Sequence, residues 1–403
     1  MKEHLAKSSR IDVIDALRGM ALLAIVLLHN LEHYNLYHIP AGMPEWLNTL
    51  DRWVWDSSFF LMAGKAFSTF SLLFGFSFFI QIDNQARKGN DFRGRFAWRL
   101  LMLMLFAQLH ALFYDGDILL LYAVCGFSLI AVSRLSDKAV LAIAVILLLQ
   151  PFEWGRILYG MIRPEYTTNI GNLFLKYART CFEAGAGSSL LTTLKTNITD
   201  GQLYSNLWQI ENGRLFQVPA LFMFGLLLGR WKVFVQSEAS VRFWKRILTG
   251  GGLLFLPLYI AKSYLPPMIG NEASKTAFDI AFGSYVNFVM MGVFVAMFVL
   301  LWFGSNGGIR IQRMLIPYGR MSLTNYIVQS VIGCTVYYGY GFGLWKTTGA
   351  AATILIGAAI FAFQLWYSKW WLSRYQQGPL ESLWKKLTWI RIKAYVPSFG
   401  NKE

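Results

Sequence analysis

The chain has 403 residues, 55% of them hydrophobic and only 15% charged, with a formal net charge of +15. A soluble domain carries roughly 25% charged residues, and the apolar residues here fall in long runs, so the composition excludes an ordinary soluble fold. The positive charge lies in short connections beside those runs, which suits anionic lipid and argues against nucleic acid as a partner. Three cysteines (Cys125, Cys181 and Cys334) give neither a disulfide framework nor a metal motif, so no metal is expected.

The first apolar run follows Lys7 and Arg10, as a signal peptide would. No small-x-small cleavage site follows it, and Asp15 and Arg18 stand at its base, so a retained first helix is expected. In chain order, helices are predicted near 13–31, 58–81, 96–114, 117–134, 138–153, 215–230, 247–263, 280–303, 321–340 and 348–372. Between 154 and 214 lies one long outer connection, in which Leu173, Phe174, Tyr177 and Phe182 are spaced for a short interfacial helix. The tail, 373–403, interleaves Trp370, Trp371, Trp384 and Trp389 with lysines and arginines and reads as a membrane-surface anchor.

Lysine and arginine alternate between dense and sparse connections. Arg87, Lys88, Arg93, Arg95 and Arg99 crowd one side, while the next connection holds Asp115 and Asp117. The positive-inside rule then places both termini in the cytoplasm. The expected fold is all-α: one polytopic integral membrane domain, 1–403, with about ten transmembrane helices, and assembly with further copies of itself left open.

Ionisable groups inside a bilayer mark function by default. On the first helix Asp15, Arg18 and His29 share one face: at about 100° per residue, Arg18 and His29 differ by about 20° and Asp15 and His29 by about 40°. His29 is a candidate general base; the bland alternative is an interfacial histidine bonded to a neighbouring helix. A second candidate, His110, is followed by Tyr114-Asp-Gly-Asp117, and Asp117 can fix a histidine tautomer. The alternative there is a helix-end histidine beside a solvated turn. Ser322, Asn325 and Gln329 form a polar stripe that serves as interhelical glue or lines a ligand path. There is no Walker pattern, which argues against ATP hydrolysis.

Five ordered motifs resemble the bacterial YeiB-like family, a domain of unknown function (418). They are Arg10-x4-Asp15-Ala-Leu-Arg18-Gly, Phe70-Ser-Leu-Leu-Phe-Gly75, His110 with Gly116-Asp-Ile-Leu and Tyr122-Ala-x2-Gly126, Gly319-Arg-Met-Ser-Leu-Thr-Asn-Tyr-x2-Gln-Ser330, and Gly378-Pro-Leu-Glu-x-Leu-Trp384. The first helix is also similar to those of heparan-alpha-glucosaminide N-acetyltransferase and of acyltransferase family 3. The position fourteen after the aspartate is usually Asn in the YeiB-like proteins, whereas here it is His29, with Asn30 next. Acyltransferase family 3 has His there. Lys385 stands where Arg is usual.

The resemblance implies transfer of an acyl group, acetyl by preference, from cytoplasmic acyl-CoA to an extracytoplasmic glycan or small polar acceptor, in a bacterial cytoplasmic (inner) membrane. Arg18, Arg93, Arg95 and Arg320, with Asp15 beside Arg18, are the candidates for holding the CoA phosphates. His29 or His110 would be the base, Asp117 would orient His110, and Asn30 or Asn325 would donate to the developing oxyanion. A secondary transporter of a small metabolite and a non-catalytic membrane partner protein are the alternatives. A cavity that opens at the cytoplasmic end and reaches His29 favours the enzyme.

Overall fold

The structure, a computed structural model, describes residues 11–390, and every regular element among them is helical. Four helices or helix runs are long and apolar enough to cross a membrane, and a bent pair makes a fifth. This is the architecture of a polytopic membrane protein, in which backbone groups must bond within their own segment. The expected basic residues Lys2, Lys7 and Arg10, and the tail beyond Ile390, lie outside the described residues.

Helix α1 (Asp12–His29) runs on as a π-helical turn, Asn30–Tyr34. The helix expected at 58–81 is two pieces, α2 (Glu45–Met62) and α3 (Lys65–Ala86). Gly64 separates them with φ of 77°, and a side chain there would collide with that of Asn287. The hydrophobic run continues through the break, so hydropathy alone does not register it. Next come α4 (Arg93–Ala111) and α5 (Leu119–Val132).

The segment expected as one helix at 138–153 is also broken, into α6 (Asp137–Leu148) and α7 (Pro151–Ile162), which meet at 44°. Pro151 opens α7, and proline excludes the preceding residue from the helical region; Gln150 takes φ of 55°. The connection 154–214, expected as a long loop, is helical. Beyond α7 it holds α8 (Leu173–Ala186), α9 (Leu190–Thr196) and α10 (Gln202–Glu211). The single interfacial helix expected there is α8, which packs on α10.

Helix α11 (Arg214–Arg230) returns through the centre, followed by α12 (Glu238–Tyr264) and α13 (Glu272–Gly304). An amphipathic α14 (Arg310–Arg320), not predicted, precedes α15 (Ser322–Tyr337); then come α16 (Ala350–Leu372) and α17 (Pro379–Thr388). The motif glycines are explained by close crossings. A Cβ on Gly319 would lie 1.8 Å from the Asp15 carbonyl oxygen of α1, and one on Gly75 would lie 1.9 Å from the Phe222 carbonyl oxygen of α11. Small residues let membrane helices approach this closely.

The tail is a docked element over its described part. Glu381 of α17 accepts from the backbone N–H of Leu323 at 2.7 Å and of Thr324 at 3.0 Å, which caps the start of α15. The Trp384 indole donates to the Arg99 carbonyl at 3.0 Å. This part of the tail packs on α4 and α15, and leaves Leu383, Trp389 and Ile390 exposed.

Candidate functional site

A cavity of about 970 Å³ follows α1 along its length. That is at the upper end of the volume range for small-molecule sites. Its lining reaches Arg18 at one end of α1 and His29 at the other, roughly 17 Å apart by helix rise. The lining meets exposed residues at the Arg18 end, Lys385 and Trp389, and also on α2 and α12, Phe60 and Tyr259, so it opens at both places.

The Arg18 end is cationic. Arg18 donates to the buried Asp15 carboxylate at 2.6 Å and to Ser77 Oγ at 2.6 Å. Arg320 lines the same end and donates to the Gln376 carbonyl at 3.1 Å. Arg99 lies 3.5 Å over the Trp384 ring, also on the lining. Two expected members are elsewhere. Arg93 bonds the carboxylate of Asp91 at 3.0 Å, holding that carboxyl well below its usual range, and does not face the cavity. Arg95 donates to the carbonyls of Thr388 and Ile390, both at 3.1 Å, and so caps the C-terminal end of α17.

At the far end His29 lines the cavity and is held by a hydrogen-bond chain. Ser330 Oγ gives its proton to the Tyr326 carbonyl at 3.3 Å, so it accepts from the Tyr34 hydroxyl at 3.0 Å. The single Tyr34 proton is thereby used, and Tyr34 Oη at 3.3 Å from His29 Nδ1 must accept. This leaves Nδ1 protonated and Nε2 as the basic nitrogen. No other side-chain hydrogen bond to His29 is made among the described residues.

His110 and Asp117 form a tight buried pair, Nδ1 to Oδ1 at 2.7 Å, and the second Asp117 oxygen accepts from Leu120 N–H at 3.2 Å at the start of α5. Neither lines the cavity. Two rings touch both histidines: Tyr326, 5.0 Å from His110 and 6.1 Å from His29, and Tyr114, 5.5 Å and 5.2 Å from them. From the same turn as Asp117, Asp115 and Gly116 line the cavity instead. Asn30 and Asn325 are also off the lining. Asn30 donates back to the Val26 carbonyl at 2.7 Å, and Asn325 to the Tyr318 carbonyl and Ser368 Oγ at 3.1 and 2.9 Å, so of the α15 stripe Asn325 binds α16 while Ser322 lines the cavity. Both amide donors are used in helix packing.

Sequence reasoning missed Arg214, Trp208, Glu32 and Asp115, which line the cavity beside His29. Arg214 opens α11 and contacts two rings, 4.2 Å from the centroid of Phe67 and 4.1 Å from that of Trp208. Glu32 sits past the end of α1, and Asp115 in the turn between α4 and α5; burial pushes each carboxyl up to about 7.

Residues 228–391 match the family described as "Protein of unknown function (DUF418)". The chain is 28% identical to the "Uncharacterized protein YxaH" of Bacillus subtilis, with 95% of each chain covered. It is 27% identical to the "Uncharacterized protein YeiB" of Escherichia coli, over 93% of this chain and 95% of that one. It is 25% identical to an uncharacterized protein of Bacillus acidopullulyticus, with 96% of each covered. No solved structure matches.

Proposed function

We propose that this chain, a member of the YeiB-like family, is a membrane acyltransferase that carries an acyl group from acyl-CoA at one membrane face to an acceptor at the other. The observation that carries the reading is the cavity, which opens at the Arg18 end and continues to His29. A site that accepts a donor from one side and delivers it to a base near the other needs this shape. In this reading the chain crosses the bacterial inner membrane about ten times, counting the shorter helices, with both termini cytoplasmic. The Arg18 end then faces the cytoplasm, where acyl-CoA is available as co-substrate.

Each residue has a definite task. Arg18, Arg99 and Arg320 offer guanidinium groups to the CoA phosphates. Asp15 fixes Arg18. At the other end His29 Nε2 takes the proton of an acceptor hydroxyl or amine as the acceptor atom bonds to the thioester carbonyl carbon. The carbon–sulfur bond breaks, and the thiolate leaves with the electron pair and takes the proton from His29. The acceptor is an extracytoplasmic glycan or small polar molecule, and lipid surrounds the bundle. His110 supports the site through its contact with Tyr326 and is not the base.

The test is direct. Acetyl-CoA should bind the purified full chain in lipid nanodiscs, and wild-type cells should acylate an extracytoplasmic pool that cells with His29→Ala do not. Absence of acetyl-CoA binding together with unchanged acylation in the variant rejects the proposal.

A further inference from the structure

Arg214 is a cation inside the protein with its hydrogen-bonding edge unused. Its guanidinium carbon lies over the rings of Phe67, at 4.2 Å, and Trp208, at 4.1 Å. Contacts with ring faces take up none of a guanidinium's five N–H donors. Among the described residues no side chain or carbonyl accepts from it, and no carboxylate pairs with it. Glu32 is within range of its field but makes its own close contact with His33, Nε2 to Oε1 at 3.6 Å. The other arginines of the cavity differ in place: Arg18, Arg99 and Arg320 gather at the opposite end, with Ser77 and Trp384. Arg214 instead shares its chamber with His29, His33 and Tyr204.

A half-buried guanidinium on a cavity wall, with no protein acceptor among the described residues, is placed to form a charge-assisted, two-bond fork with an anion that enters the cavity. We propose that Arg214 is the recognition residue for an acidic acceptor, binding a carboxylate or phosphate of that molecule as a fork while its nucleophile lies at His29. As an acceptor site this rests on the acyl-transfer reading; as an anion site it stands alone. The acceptor class is thereby narrowed from any polar molecule to a sugar acid, a phosphorylated sugar or a comparable small acid. Trp208 and Phe67 hold the fork rigid, so little entropy is lost when two in-plane bonds form. Arg214 is a binding residue and takes no part in the proton transfer.

The experiment is isothermal titration of the full chain in nanodiscs with glucuronate, glucose 6-phosphate and neutral glucose, each to about 10 mM, a range that even weak single-site contacts reach. At least one acid should bind tenfold or more tightly than glucose, and which acid does so separates carboxylate from phosphate. Arg214→Gln should abolish the preference, and Arg214→Lys, which keeps charge but not the fork, should weaken it severalfold; melting curves establish that each variant is folded. If Arg214→Gln does not fold, Arg214→Lys and the wild-type comparison decide. No preference for either acid over glucose overturns the proposal, as does a preference that survives in folded Arg214→Gln or, where that variant does not fold, is undiminished in Arg214→Lys. Acetyl-CoA is titrated in parallel: if it binds and the acids do not, only the Arg214 assignment fails, and if the acids bind and it does not, the acyl-transfer reading fails while the anion site stands.

Discussion

His29 Nδ1 lies 3.3 Å from the hydroxyl oxygen of Tyr34, five residues on and one turn past the end of the same helix. The π-helical turn Asn30–Tyr34 is what brings them together, since it swings Tyr34 back toward the ring and toward Ser330 of α15. A neutral hydroxyl, rather than a carboxylate, therefore sets the tautomer of the candidate base.

The first prediction concerns that base. His29→Ala should lower acyl transfer roughly 100- to 10,000-fold, the usual worth of a positioned general base. Tyr34→Phe should lower it less, because Nε2 stays present but its tautomer is no longer fixed. Both variants should bind acetyl-CoA as wild type does. Full turnover in His29→Ala, measured as acylated product in whole cells, would remove His29 from the chemistry.

Charge at the donor end provides the second. A charged hydrogen bond is worth about 1.5–3 kcal/mol, so Arg320→Ala should weaken acetyl-CoA binding about tenfold or more. Arg93→Ala should leave it unchanged, because Arg93 turns away to Asp91. Calorimetric affinities for the two variants settle the contrast, and equal losses would refute the placement.

Helix crossings give the third. Gly75→Ala forces a methyl group against the Phe222 carbonyl of α11, and overpacking of this kind costs about 1–3 kcal/mol. Gly250→Ala, in α12, meets open space and should be neutral. Melting of both in the same detergent would show the difference, and a neutral Gly75→Ala would contradict the crossing.

The fourth is a pH dependence. Asp115 and Glu32 titrate at about 7 in the fold, against about 4 in an unfolded chain. A raised folded pKa means that the fold favours the protonated form. That contribution is full below about pH 4 and is lost as pH rises through about 7. Melting temperature should fall between pH 5 and pH 8 in wild type and fall less in Asp115→Asn. An identical slope in the variant would exclude Asp115 as a source.

That the chain holds several long apolar helices was legible, because long apolar runs have one outcome in lipid. The breaks at Gly64 and Pro151 were less so, since hydropathy averages over them, although Pro151 carried a local signal that was readable. The shared face of Asp15, Arg18 and His29 followed from helix geometry alone, and Arg18 and His29 do border one cavity. The oxyanion role of Asn325 was not readable, because only the fold shows Tyr318 and Ser368 taking its amide protons. Arg214 escaped notice for a plain reason. It stands at the last position of a connection, where an arginine looks like a solvated loop charge, and only the return of α10 puts Trp208 against it.

Docking of α17 has a consequence for synthesis. The N-terminus of α15 is capped by Glu381, and the wall of the cavity mouth is completed by Trp384, both within the last few dozen residues of the chain. A ribosome that has released α1 to α16 has therefore not yet released the pieces that close the Arg18 end. Until residue 384 emerges, the mouth lacks its Trp384 wall and α15 starts uncapped. A nascent chain stalled before that point would hold α16 and every described helix before it, yet keep an unfinished cavity mouth, open to membrane proteases at that end.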